Sequence, residues 1–176
     1  MSVVLPMTYE DFLARGESRD EYIDGATRVN PSPRRSHLET SRRVANLLAD
    51  VMPDGYAVAE AWSWKRGDDE FIPDVMLMAE SDEDVRYTGL PELIVEILSS
   101  DRSSDLVIKS RKYAEFGVQR YWVVDVPVRT VSVFTLDAGG YVEQHVLVDD
   151  DRTEVDLGPC SAVICPSELI APTPPP

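Results

Sequence analysis

The segment Leu93-Ile-Val-Glu-Ile-Leu98 constrains the fold more than any other. Apart from Glu96 it is apolar at every position, as expected of a strand covered on both faces. An ionised carboxylate in such a strand costs on the order of several kcal/mol unless something pairs with it. A helix follows, with Ser103 or Ser104 as its cap and Gly117 at its C-terminal end. Tyr121-Trp-Val-Val-Asp125 is then apolar enough for a second strand. Strand, helix and strand at this spacing predict a βαβ unit running from Glu92 to Asp125.

Around that unit the sequence predicts further elements. Thr8 caps a short helix through about Ala14, with Glu10 and Asp11 in its first turn. Glu21–Val29 reads as a hairpin turning at Asp24-Gly25. A long helix spans about Arg35 to Met52, with Val44, Leu47, Leu48 and Val51 as its apolar stripe and Pro53-Asp-Gly55 as its stop. One strand is expected over Tyr56–Lys65, an acidic turn at Gly67-Asp-Asp-Glu70, and another strand over Asp74–Ala79. Thr130–Leu136 and Tyr141–Val148 form a hairpin, and Pro166–Leu169 adds a helical turn. The fold class is therefore α/β (α+β), a mixed central sheet flanked by helices. At 176 residues one domain is expected over 1–170, with 171–176 a loose Pro-rich tail. No apolar run reaches the ~18–20 residues that cross a bilayer. The chain shows no basic-then-apolar leader, and its two cysteines are too few for a disulfide framework, so a cytoplasmic protein is expected.

Two acids stand where chemistry uses them. Asp74 follows Pro73 and opens the apolar run Val75–Met78, while Glu96 interrupts its own strand. Carboxylates on neighbouring strands, with a backbone carbonyl nearby, suit Mg²⁺ or Mn²⁺, which position phosphate oxygens and activate water. The bland alternative makes Asp74 a strand-start residue and Glu96 the partner of an arginine. On the following helix, Leu106, Ser110, Tyr113, Ala114 and Gly117 form the stripe that faces the sheet. At ~100° per residue Lys109 lies about 80° from the stripe centre and Lys112 about 140°. Lys109 is thus expected to lean toward the sheet and Lys112 to be solvated. Glu21 shares a strand face with Ile23 and is a third candidate acid, unless it is an exposed hairpin carboxylate. His37 either touches phosphate or is an ordinary surface residue at a helix start. Trp62 and Trp64 read as packing, and Glu60, Asp125 and His145 as ordinary strand positions.

Pro73-Asp74 followed by Glu96-Ile-Leu98 resembles the PD-(D/E)XK nuclease signature. More closely, five segments resemble the small bacterial restriction endonuclease family of the Uma type. They are Glu21-Tyr-Ile-Asp-Gly25, Pro31-Ser-Pro-Arg-Arg-Ser-His37, Pro73-Asp-Val75, Leu93–Ser99 and Lys109–Asp125, in the family's order. The resemblance covers about residues 8 to 170. It implies a restriction-endonuclease-like core and Mg²⁺-dependent cleavage of DNA. Asp74 and Glu96 would carry the metal and Glu21 would be an accessory acid. Position 98 is Leu where the superfamily has Lys, and the family's lysine on the next helix corresponds to Lys109.

The formal net charge of −15 excludes binding of nucleic acid by bulk positive charge. Five arginines (28, 34, 35, 42, 43) nevertheless stand against one acid between Arg28 and Arg43, and six basic residues against three acids between Arg102 and Arg129. Arg34, Arg35, His37 and Arg42 are the candidate phosphate contacts, unless these runs are simply solvated faces. The expected partner is DNA, and a homodimer would let two sites cut both strands. The competing readings are a nuclease-fold module with weak or no activity that binds nucleic acid or protein, and a metal-dependent hydrolase of another phosphoester.

Overall fold

The structure is a computed structural model describing residues 3–16, 19–30, 32–98 and 103–172, with side chains left out at 3 and 103–105. The first elements are β1 (Val3–Pro6), α1 (Tyr9–Ala14), β2 (Glu21–Ile23), β3 (Ala26–Val29) and α2 (Arg35–Val51). Next come β4 (Tyr56–Glu60), β5 (Trp64–Arg66), β6 (Asp69–Phe71), β7 (Val75–Ala79) and β8 (Leu93–Leu98). They are followed by α3 (Ser103–Glu115), β9 (Arg120–Asp125), β10 (Thr130–Asp137) and β11 (Gly140–Val148). The last are β12 (Thr153–Asp156), β13 (Ser161–Ile164) and α4 (Pro166–Leu169).

The central sheet has six strands in the order β11-β10-β9-β8-β7-β4. Strands β8 and β9 pair in parallel, as a crossover through α3 requires, and the other pairings are antiparallel. Period-two alternation divides its core. Val75, Leu77, Leu93, Val95 and Trp122 point to the side covered by Val44 and Leu48 of α2. Met76, Met78, Ile94 and Tyr121 point to the opposite side, where they meet Tyr113 of α3 and Ile23, Trp64 and Phe71 of a second sheet. That second sheet runs β1-β3-β2-β6-β5. The hairpin β2–β3 turns as predicted through Asp24 (φ 53°) and Gly25 (φ 75°), the left-handed pair that a two-residue turn needs.

Several expectations change. The strand over Tyr56–Lys65 is two strands in different sheets. Ala61, at φ 48°, donates its N–H to the Asp74 carbonyl and re-aims the chain, which carries Trp64 into the second core. The acidic turn after Gly67 is largely strand, and Asp69 and Glu70 are buried. Glu70 accepts from Tyr9 Oη at 2.6 Å and from Ser63 Oγ at 2.5 Å, which supports its charge inside. Strands β1, β12 and β13 had no sequence signal. The chain is packed at Ala171, whose N–H donates to Thr40 Oγ1 at 3.0 Å, where a loose tail was expected to begin. The side chains of Ser103 and Ser104, and residues 173–176 of the tail, lie outside the described residues.

Candidate active site

Glu96 projects from β8 on the face it shares with Ile94, beneath α3. The register pairs Val75 with Val95, so one step further places Asp74 opposite Glu96. Alternation puts both carboxylates on the same face. Asp74 is fixed by its own neighbour, because Oδ2 accepts the Ile97 N–H at 2.7 Å. Lys109 comes down from α3, with Nζ 2.7 Å from Glu96 Oε1 and 3.0 Å from Glu21 Oε1. Glu21 enters from β2 of the second sheet, where Oε1 also accepts the Ile72 N–H at 2.8 Å and Oε2 accepts from Asn30 Nδ2 at 3.2 Å. One helical turn after Lys109, Tyr113 Oη donates to Glu96 Oε1 at 2.7 Å.

Glu21, Asp74, Glu96 and Lys109 line a cleft of about 280 Å³, together with His37, Ser41 and Glu60. Its electrostatics follow from burial and from three carboxylates around one ammonium. Burial pushes the Glu96 carboxyl up to about 7; Lys109 opposes this, and Asp74 and Glu21 add to it. Burial alone would lower Lys109, but Glu21, Glu96 and Asp74 together hold it above the usual lysine range. Burial would also raise Asp74, yet His37, Lys109 and the Ile97 N–H bring it below the usual carboxylate range.

Asp74, Glu96, Lys109 and Glu21 thus meet in one place. So does His37, which is no surface residue: its side chain is 6% exposed and Nε2 lies 3.1 Å from Asp74 Oδ1. The approach is off the hydrogen-bond direction, and both ring nitrogens are buried without a hydrogen-bond partner. Arg34, Arg35 and Arg42 stand outside the cleft on exposed positions of α2 or its cap, and Arg35 Nε pairs with Glu39 at 2.7 Å. Lys112 is not solvated. Its Nζ pairs with Asp24 and, at 2.9 Å, with Asp69, and its side chain is 13% exposed.

Sequence reasoning missed Glu60 and Ser41 and read Tyr113 only as packing. Ser41 Oγ donates to Glu60 Oε2 at 3.0 Å and lies 3.3 Å from the Asp74 carbonyl. Tyr113 was findable from its spacing of four from Lys109 on the same helix; Glu60 had no signal before its register was known.

Facing carboxylates beside an orphaned imidazole form a donor set that fits a divalent cation. Among the described residues, no three His, Cys, Asp or Glu side chains are already gathered around one point. Glu96 is drawn instead to Lys109 and Tyr113 through Oε1.

No curated protein matches the chain. A solved structure from Anabaena variabilis, described as "a putative nuclease belonging to DUF820", superposes with a TM-score of 0.76. The two share 20% identity over 93% of this chain and 97% of that one, which establishes a common fold. The profile of a family described as "Putative restriction endonuclease" matches residues 7–162 and so spans every group that meets in the cleft. On that match the chain belongs to the Uma2 family.

Proposed function

We propose that the chain is a metal-dependent DNA endonuclease whose centre is the cleft around Asp74, Glu96, Lys109 and Glu21. The observation that carries this reading is the pair of facing carboxylates with a buried lysine held beside them. A structural ion pair would be complete with one acid and one base. Here three acids surround Lys109, which leaves a surplus of negative charge that a cation relieves. The family's description points to the same reaction class.

Asp74 and Glu96 would hold Mg²⁺ or Mn²⁺, and such an ion supplies polarisation of a phosphate oxygen and a more acidic bound water. Glu21 and Glu96 fix the Lys109 ammonium from two sides, so its charge is preorganised toward a scissile phosphate. Tyr113 holds one oxygen of Glu96 and limits its rotation. Ile97 N–H does the same for Asp74. We further propose that two copies act together, one per strand of a duplex.

A plasmid-nicking assay tests the reading. Supercoiled DNA should be converted to open-circular and linear forms with Mg²⁺ or Mn²⁺ and remain intact with EDTA. Asp74→Asn should be inert under all three conditions. A protein that shifts DNA in a gel yet leaves it uncut with either metal would be a binding module instead.

A further inference from the structure

His37 is the least explained group in the cleft. A buried imidazole ordinarily gives its N–H to one acceptor and takes a proton from a donor at the other nitrogen. Here neither nitrogen has a hydrogen-bond partner, although the side chain is 6% exposed. Leaving polar atoms in that state is costly unless something else satisfies them.

Its spacing to Asp74 indicates what that is. Nε2 and Asp74 Oδ1 are 3.1 Å apart, a close approach that does not make a well-aligned hydrogen bond. Two donors at right angles around one ion behave in this way. With bonds of about 2.0–2.1 Å they stand about 2.8–3.0 Å apart, and each aims at the ion rather than at the other. The backbone that carries His37 is also held by contacts other than that with the Asp74 carboxylate. One turn along α2, Ser41 Oγ is tied to Glu60 Oε2 and lies close to the Asp74 carbonyl, while Thr40 Oγ1 accepts the Ala171 N–H. The helix is thus pinned against the strand end that carries Asp74.

We propose that His37 Nε2 is a direct ligand of the divalent ion, so that the centre is a mixed nitrogen and oxygen site with Asp74 and Glu96. The inference rests on the nuclease reading and adds a metal preference to it. Imidazole suits the later first-row metals, whereas Mg²⁺ prefers oxygen. The site therefore favours a first-row transition ion over Mg²⁺, with Mn²⁺, the weakest imidazole binder of that row, serving as the spectroscopic probe. Glu96 Oε1 is taken by Lys109 and Tyr113, so Oε2 is the oxygen that Glu96 would offer to an ion.

Mn²⁺ binding to the purified protein tests this without any substrate. Loss of the free-ion signal in electron paramagnetic resonance gives the affinity, and pulsed measurements read coupling to a ligating nitrogen. The wild-type protein should show that coupling, with its frequency changed by ¹⁵N-histidine labelling. His37→Gln should abolish it and weaken Mn²⁺ at least ~10-fold, the loss that even outer partners of a metal cause. Because the coupling is read on the wild-type chain, a poorly folded variant does not spoil the test. Mn²⁺ bound without nitrogen coupling, and lost in Asp74→Asn, overturns the role of His37 and leaves the two-carboxylate centre standing. Mn²⁺ that fails to bind the wild-type chain, or binds Asp74→Asn equally well, overturns both.

Discussion

At the scale of single residues, the energetic conflict sits on Glu96. Its pKa is about 7 in the folded chain against an ordinary 4.5, with burial the first cause. A raised carboxylate favours the folded state only while it is protonated. Stability from this group is therefore complete below pH 4.5 and is lost as the pH climbs toward 7. Glu96→Gln keeps an oxygen for Tyr113 and removes the charge. It should melt about 2–4 °C higher than wild type at pH 8 for each kcal/mol relieved, by calorimetry. The gain should shrink as the pH falls from 7 to 4.5, while cleavage is lost at every pH. Lys109→Met is the converse. It strands Glu21 and Glu96 against each other, and breaking a buried pair in this way costs about 3–5 kcal/mol in a urea titration. Cleavage per folded molecule should fall on the order of 10²–10³ fold, as for other preorganised charges. Glu96 was legible because a lone acid in an apolar strand needs a reason. Lys109 was legible from helical phase. His37 was not, because its burial depends on how α2 crosses β7, and no periodicity within the helix carries that.

At the scale of elements, the clamp at the far end of α3 corrects a sequence expectation with a physical cause. The helical wheel places Lys112 away from the central sheet, and it is. The wheel is blind to the second sheet, whose hairpin turn supplies Asp24 and whose β6 supplies Asp69. The Asp24 N–H also donates to Asp69 Oδ1 at 2.9 Å, so turn, strand and helix share one ionic knot. That knot holds the hairpin that carries Glu21 to the helix that carries Lys109. Lys112→Ala should therefore lower stability by about 1–3 kcal/mol, discounted from a fully buried pair because Asp24 is half exposed. The measurement is a urea midpoint at unchanged m-value. An unaltered midpoint would return Lys112 to the solvated role. The same blindness explains the missed strands. β1 pairs with β3, and β12 with β13, through partners that local pattern does not name, whereas β8, α3 and β9 were legible because they are consecutive and strongly patterned.

At the scale of the whole molecule, charge decides how the DNA of the proposed reaction would approach. The second basic segment is largely neutralised in place: Arg111 meets Asp24 and Glu115, Arg120 meets Glu92 and Asp156, and Arg129 meets Asp149. Among the described residues, exposed Arg34 and Arg42 of the first segment make no ion pair; Arg34 caps α2 and Arg42 lies within it. Replacing both by Ala should weaken DNA binding regardless of sequence. It should also reduce the slope of log affinity against log salt by about 2, roughly one unit per lost phosphate contact. An unchanged slope would place the DNA on another face. The net charge of −15 was legible from composition, but its division into paired and unpaired cations required the fold.

Lys109 belongs to a helix, yet its two partners belong to two different sheets. The site is therefore a coincidence detector for assembly. Each sheet can fold its own hairpins, and α3 can form its own turns, without any of the three groups meeting. Closing such long loops is the slow part of folding. In stopped-flow refolding, helical and strand signals should recover first and cutting of a fluorescent duplex last, with a measurable lag. In the native state the order reverses: a brief parting of the sheets would undo the proposed site while most of the backbone hydrogen bonds remain intact.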